Sequence, residues 1–260
     1  MNSGDYLRAI RSDGQATLDA AGLGLDSPVP TTPGWTVEDV VSHLGRVHRQ
    51  KAHIVRELLV AEPPMVDPPP RDSLLEWFAE GVHDLTEILS VTDPSTPVHT
   101  WHEPDQTVGF WIRRMAHETL IHRVDAELGH GIHSPVETEL GADGVDEILD
   151  VFMGGYPEWA EVERSPVVVR LESEGRSWPL QFLSWTGRSP NSGREFTDVA
   201  GIEIAGGDPK PAAVVRGPGD ALDLFLWGRG SADGLIAVSY THLTLPTTGI
   251  RCWCGGGGGG

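Results

Sequence analysis

Proline-rich breaks, DSPVPTTPG and AEPPMVDPPP among them, cut the first 155 or so residues into segments with room for several helical turns each. A proline in a helix interior costs about 3 kcal/mol, so the breaks must be loops and the segments must pack side by side to bury their apolar stripes. Local signals agree. A first helix is expected near Tyr6–Ala21. Thr36, with Asp39 three residues on and Trp35 and Val40 placed for a hydrophobic staple, opens a second that should reach about Val60. Ser73 and Glu76 make another capping box and open a third to about Ser90. A fourth follows Asp105 to Leu128 with Gly129 as its C-cap, and a shorter fifth covers Glu139–Met153 before the turn-like GGYP.

The pattern then changes period. Val167–Glu172 alternates apolar and polar, Trp178–Leu183 is a second strand-like run, and the intervening SEGR suits a hairpin turn. Gly201–Ala205 and Ala212–Arg216 read as further short strands, and a helix spans Pro218–Trp227. The expected organisation is a helical bundle over 1–155 and a small α+β domain over 156–237. From about Val238 the chain turns from acidic to threonine-rich and ends in six glycines. SYTHLTLPTT resembles a translated sequencing adapter, so 238–260 is set aside as a non-biological tail. Cys252 and Cys254 both lie there, which leaves the rest of the chain without a cysteine. Thiol chemistry would then need a thiol from outside.

With 38 acidic residues against 19 basic and a net charge of -19, the chain repels polyanions, and nucleic acid and anionic membranes are excluded as partners. No apolar run approaches the ~18 residues of a membrane span. The N-terminus, MNSGDYLRAIRSDG, lacks the basic start and apolar core of a secretory signal. A cytoplasmic location is expected.

The fourth helix carries HETLIH. Glu118 and His122 are four apart, on one face, about 5–6 Å apart at Cβ. At ~100° per residue they share an arc of roughly 60° with Trp111 and Met115. A carboxylate among bulky apolar groups costs several kcal/mol unless a cation or metal meets it, and a carboxylate with an imidazole one turn on is half of a zinc-type site. His117 and His122 are five apart and face different ways, so this is not the HExxH of zinc proteases. A third ligand must come from another helix. The second offers His43, His48 and His53 in VSHLGRVHRQKAH. Periodicity alone prefers His48, inside the apolar stripe of Val37, Val41, Leu44, Val55 and Leu59, over His43 at its edge near Val47 and Ile54, but pattern by itself does not settle which of the three is a ligand.

PGWTVEDVVSHLGRVHR, WIRRMAHETLIHRVDAELG and the later VVRGPGDALDLFLWGR together resemble the mycothiol-dependent maleylpyruvate isomerase family, of the DinB-like metal-binding four-helix superfamily. The resemblance spans residues 5–237. It implies a four-helix bundle followed by a small α+β domain, and a divalent metal, Zn2+ by preference, on His43, Glu118 and His122. It also implies mycothiol, the low-molecular-weight thiol of actinobacteria, as cosubstrate. The thiolate would add to the cis double bond of maleylpyruvate, and rotation and expulsion would give fumarylpyruvate. A mycothiol S-transferase acting on electrophiles, or a non-catalytic metal-binding protein, are the other activities such a chain can have. An anionic substrate wants a positive group, and the resemblance implies an arginine of the C-terminal domain: Arg229 in LFLWGR, with Arg216 second. Arg113 and Arg114 are nearer the HETLIH segment, where a surface role is expected of them, and Trp35, Trp111 and Trp227 are either pocket lining or core.

Overall fold

Asn2 accepts the Asp5 amide at 3.1 Å while Asp5 accepts the Asn2 amide at 2.8 Å. In this computed structural model, which describes residues 1–239, that reciprocal box starts α1 (Ser3–Ala21) three residues ahead of the Tyr6 expected from periodicity. The Thr36 amide and hydroxyl both donate to Asp39 Oδ2, at 2.8 and 2.9 Å, and α2 (Val37–Arg56) follows. It ends before the expected Val60 because Leu58 takes a φ of 49°, outside the right-handed helical region. The Ser73 cap does not form. The chain enters α3 (Leu74–Val91) through a 3-10 turn, Arg71–Ser73, and Ser73 there lacks the extended backbone a capping side chain needs. The fourth helix, α4, is Val108–Leu128.

These four helices form one unit, Met1–Pro135, in which α1 and α2 each pack on α3 and α4. Its core includes the fully buried Ile10, Leu44, Phe78, Leu85 and Trp111. Two glycines set the spacing of α2 against its neighbours. A Cβ on Gly45 would lie 2.1 Å from a Trp77 ring carbon, so the indole of α3 seats directly on the α2 backbone. Gly129 is the C-cap of α4 as expected, in right-handed geometry with a φ of -58° and its amide donating to the Asp125 carbonyl; its smallness also admits Val37, whose Cγ2 would lie 2.8 Å from an added Cβ.

The second unit begins at Val136, ahead of the fifth helix rather than at the expected 156. The reason is that α5 (Thr138–Glu147) packs along α6 (Gly219–Leu226) through backbone contact: an added Cβ on Gly141 would meet Asp220 Cα at 2.4 Å. The single helix expected to Met153 becomes α5 and a π-helical turn, Ile148–Met153. Strands β1 (Glu161–Ser173), β2 (Arg176–Arg188), β3 (Glu195–Ile204), β4 (Ala213–Arg216) and β5 (Ile236–Ser239) build a sheet ordered β3-β2-β1-β4-β5. All pairs are antiparallel except β1 with β4. The β1–β2 turn is Glu174–Gly175, both with positive φ, within the expected SEGR. The strands β1–β3 outrun their expected limits because their outer halves are not buried and carry no clean alternation. Val238 and Ser239, assigned to the tail, are the last residues of β5, while 240–260 lie outside the described residues.

Gly45→Ala should cost roughly 1–3 kcal/mol by overpacking against Trp77, after allowing for a helix-propensity gain of about 1 kcal/mol. Gly81→Ala on α3, where the nearest atom is 3.7 Å away, should be neutral or stabilising. Urea unfolding of the two variants checks the contrast, and equal stabilities contradict it.

Candidate metal site

HETLIH places Glu118 and His122 one turn apart on α4, and α2 brings His43 to them. His43 Nε2 is 2.9 Å from Glu118 Oε1, and His122 Nε2 is 3.4 Å from the same oxygen. One ligand atom from each residue falls within 4.8 Å of the others, the one such cluster of three His, Cys, Asp or Glu side chains among the described residues. The ligand–ligand edge of a tetrahedral zinc site with bonds of about 2.05 Å is roughly 3.3 Å, close to the two histidine–carboxylate separations of 2.9 and 3.4 Å. A second observation agrees: His122 Nε2 is buried without a hydrogen bond, though Glu118 is near. An imidazole nitrogen turned inward to a carboxylate and a second imidazole is the donor set of a zinc-type ion.

Residues around the triad fix it in place. The Trp35 ring, beside the α2 cap, stacks on His122 at 6.0 Å and 15° and leans on His43 at 5.4 Å. Arg114, one turn before Glu118, is 3% exposed and donates to Glu118 Oε2 at 2.7 Å, leaving Oε1 to the two imidazoles. Asp125 accepts from His122 Nδ1 at 2.9 Å. Arg123, also buried, pairs with Asp13 of α1 at 3.3 Å. The segment HRVD thus supplies a candidate ligand, a brace to α1 and a carboxylate behind the ligand.

Burial works against ionisation of Glu118, yet its contacts with His122, His43 and Arg114 hold it well below the usual carboxylate range. Burial likewise opposes a charge on His122, but Asp125 and Glu118 outweigh it and raise the metal-free ring to about 9.

His48, which periodicity favoured, is fully buried and pushed down to about 3 by that burial. Its Nε2–H donates to Thr119 Oγ1 at 2.9 Å, and the Thr119 hydroxyl in turn donates to the Met115 carbonyl at 2.6 Å. It is a core histidine. His53 is exposed. Trp111 is core too, donating to the His99 carbonyl at 2.8 Å with Lys51 Nζ 4.5 Å from its ring centroid. In the second unit Trp227 is buried against Phe152. There Arg229 is 8% exposed and donates to the Trp227 carbonyl at 2.8 Å, and Arg216 is exposed, paired with Glu172 at 2.6 Å. Arg114, for which a surface role is expected from the sequence, is instead a buried brace on Glu118, and Asp125 is the residue that sequence reasoning misses. Both are legible as partners, at i−4 from Glu118 and i+3 from His122, but spacing alone does not tell a buried brace from a surface pair.

A helical unit with a two-histidine, one-carboxylate cluster, followed by an α+β unit, defines the class: a two-domain protein with a candidate mononuclear metal site. Comparison gives the family. The profile of the mycothiol maleylpyruvate isomerase N-terminal domain matches residues 7–127, and that of the C-terminal domain of the same family matches 139–241. The chain belongs to the mycothiol-dependent maleylpyruvate isomerase family. No curated protein sequence matches it. Among solved structures, that of mycothiol-dependent maleylpyruvate isomerase is 14% identical with a TM-score of 0.59, covering 91% of this chain and 93% of its own. A histidine-to-alanine mutant of that enzyme has the same coverage and TM-score at 15% identity. These two likenesses show the shared fold. Among the described residues no helix is long and apolar enough to cross a membrane.

Because metal-free His122 holds its proton up to about pH 9, a divalent ion must displace it. Zinc uptake between pH 6 and 8 should therefore release about one proton from this ring, with apparent affinity rising roughly tenfold per pH unit. Calorimetric titration in buffers of different ionisation enthalpy measures this, and a buffer-independent heat contradicts it.

Proposed function

We propose that this protein is a metal-dependent enzyme that uses mycothiol to convert maleylpyruvate to fumarylpyruvate, working in the cytoplasm, where small thiols stay reduced. The observation that carries the reading is the His43–Glu118–His122 cluster, in a chain whose two domains both match that family. Held by those three side chains, a zinc-like ion would supply a Lewis acid that lowers the pKa of a thiol presented to it.

The remaining work falls to the chain's own groups. Two neutral donors and one carboxylate leave a tetrahedral ion one further position, the arrangement of catalytic rather than structural sites. Trp35 shields one side of the imidazole pair from water, which strengthens electrostatic interactions there. Arg114 neutralises the second Glu118 oxygen, so a thiolate rather than a neutral thiol is favoured nearby. Addition of that thiolate to the cis double bond makes a single bond that can turn, and its expulsion restores the double bond as trans with no net proton change. Arg229 is the group proposed to meet the substrate carboxylates.

The test is turnover by the full chain loaded with zinc, with maleylpyruvate and mycothiol, followed as fumarylpyruvate by NMR. Isomerisation should require both metal and mycothiol. His43→Ala, Glu118→Ala and His122→Ala should each lower kcat/KM by at least about 100-fold, a few kcal/mol of transition-state stabilisation. Arg229→Ala should act mainly on KM for maleylpyruvate. Conjugation of mycothiol to a generic electrophile without isomerisation would overturn the isomerase in favour of an S-transferase.

A further inference from the structure

We propose that Asp125 is a positioning residue: one of its oxygens sets the tautomer and angle of the His122 imidazole, and the other ties that ring to the loop carrying Trp35. The inference rests on the metal-site reading above.

Asp125 lies three residues after His122 on α4, so the two side chains share a face. It is fully buried, and a buried carboxylate must be met by donors. Its Oδ2 accepts a hydrogen bond from His122 Nδ1–H at 2.9 Å and its Oδ1 accepts one from the Thr31 hydroxyl at 2.5 Å. A ring that donates from Nδ1 keeps its lone pair on Nε2 for a metal. That nitrogen is the one facing Glu118 Oε1 at 3.4 Å, and it makes no hydrogen bond. The two nitrogens are thus used differently, one bonded to a buried anion and the other turned toward His43 and Glu118.

Thr31 extends the same device outward. It sits in the short loop closed by the Pro28–Thr36 bridge and by the Val29 amide, which donates to the Trp35 carbonyl at 2.9 Å. The loop that lays Trp35 on His122 is therefore anchored to α4 through the carboxylate that aligns His122. One side chain fixes the ligand and its aromatic cover together.

The test is zinc affinity of the full chain by competition with a chromophoric chelator, with the Co2+ spectrum as a second readout. Asp125→Asn keeps the shape but offers a poorer acceptor to Nδ1. It should weaken zinc binding 10–100-fold, the usual effect of losing such an outer partner, and shift the Co2+ d–d bands while far-UV circular dichroism stays unchanged. Asp146→Asn is the control, since Asp146 holds Arg176 and the Trp178 indole in the other unit; it should leave both readouts alone. A folded Asp125→Asn with parental affinity and spectrum overturns the positioning role. Should that variant not fold, long-range 1H–15N NMR of the zinc-loaded parent decides: His122 protonated at Nδ1 supports the proposal, and His122 protonated at Nε2 overturns it. Failure of the parent to bind zinc is a different result, which overturns the metal-site reading and this inference with it.

Discussion

The Glu118 carboxylate, mostly buried between α2 and α4, is the constraint around which the N-terminal unit is arranged. A carboxylate taken out of water costs several kcal/mol unless positive or hydrogen-bonding groups surround it. Here Arg114 takes one oxygen, and His43 and His122 approach the other. Those partners come from two helices, so the arrangement holds only while α2 and α4 stay close. Gly129 allows that approach at the N-terminus of α2, where Val37 packs against it, and Gly45 seats α2 on Trp77 of α3.

The braces behind the cluster favour a binding role over a merely structural polar group. A lone buried ion pair would need no carboxylate on the far side of its histidine. This one has Asp125, itself fully buried and held by Thr31. Such shells are what orient metal-binding imidazoles and keep their basicity high, and here Thr31, Asp125, His122, Glu118, His43 and Arg114 lie in consecutive contact.

Much of this was legible in the sequence, for reasons that can be named. Proline breaks and capping residues delimit helices because they act locally, and α2 begins at the predicted Thr36 box. The turn Glu174–Gly175 was equally readable from its short-range chemistry. What failed was non-local. Nothing near Leu58 announces its left-handed backbone, and α5 pairs with α6 through contacts such as Gly141 with Asp220, far along the chain, which puts the unit boundary at Pro135/Val136, ahead of the expected 156. Periodicity ranked His48 above His43 because it measures burial, and the most buried histidine of α2 is the one committed to the core by Thr119. A candidate ligand at the edge of an apolar stripe is found by motif resemblance, since its partners lie on another helix.

The central claim, that three side chains from α2 and α4 hold one divalent ion, is tested most directly by anomalous diffraction at the zinc edge from zinc-soaked crystals of the full chain. One strong peak is expected about 2.0–2.2 Å from His43 Nε2, Glu118 Oε1 and His122 Nε2. A zinc-saturated crystal with its peak elsewhere, or with His43 turned away from the ion, would contradict it.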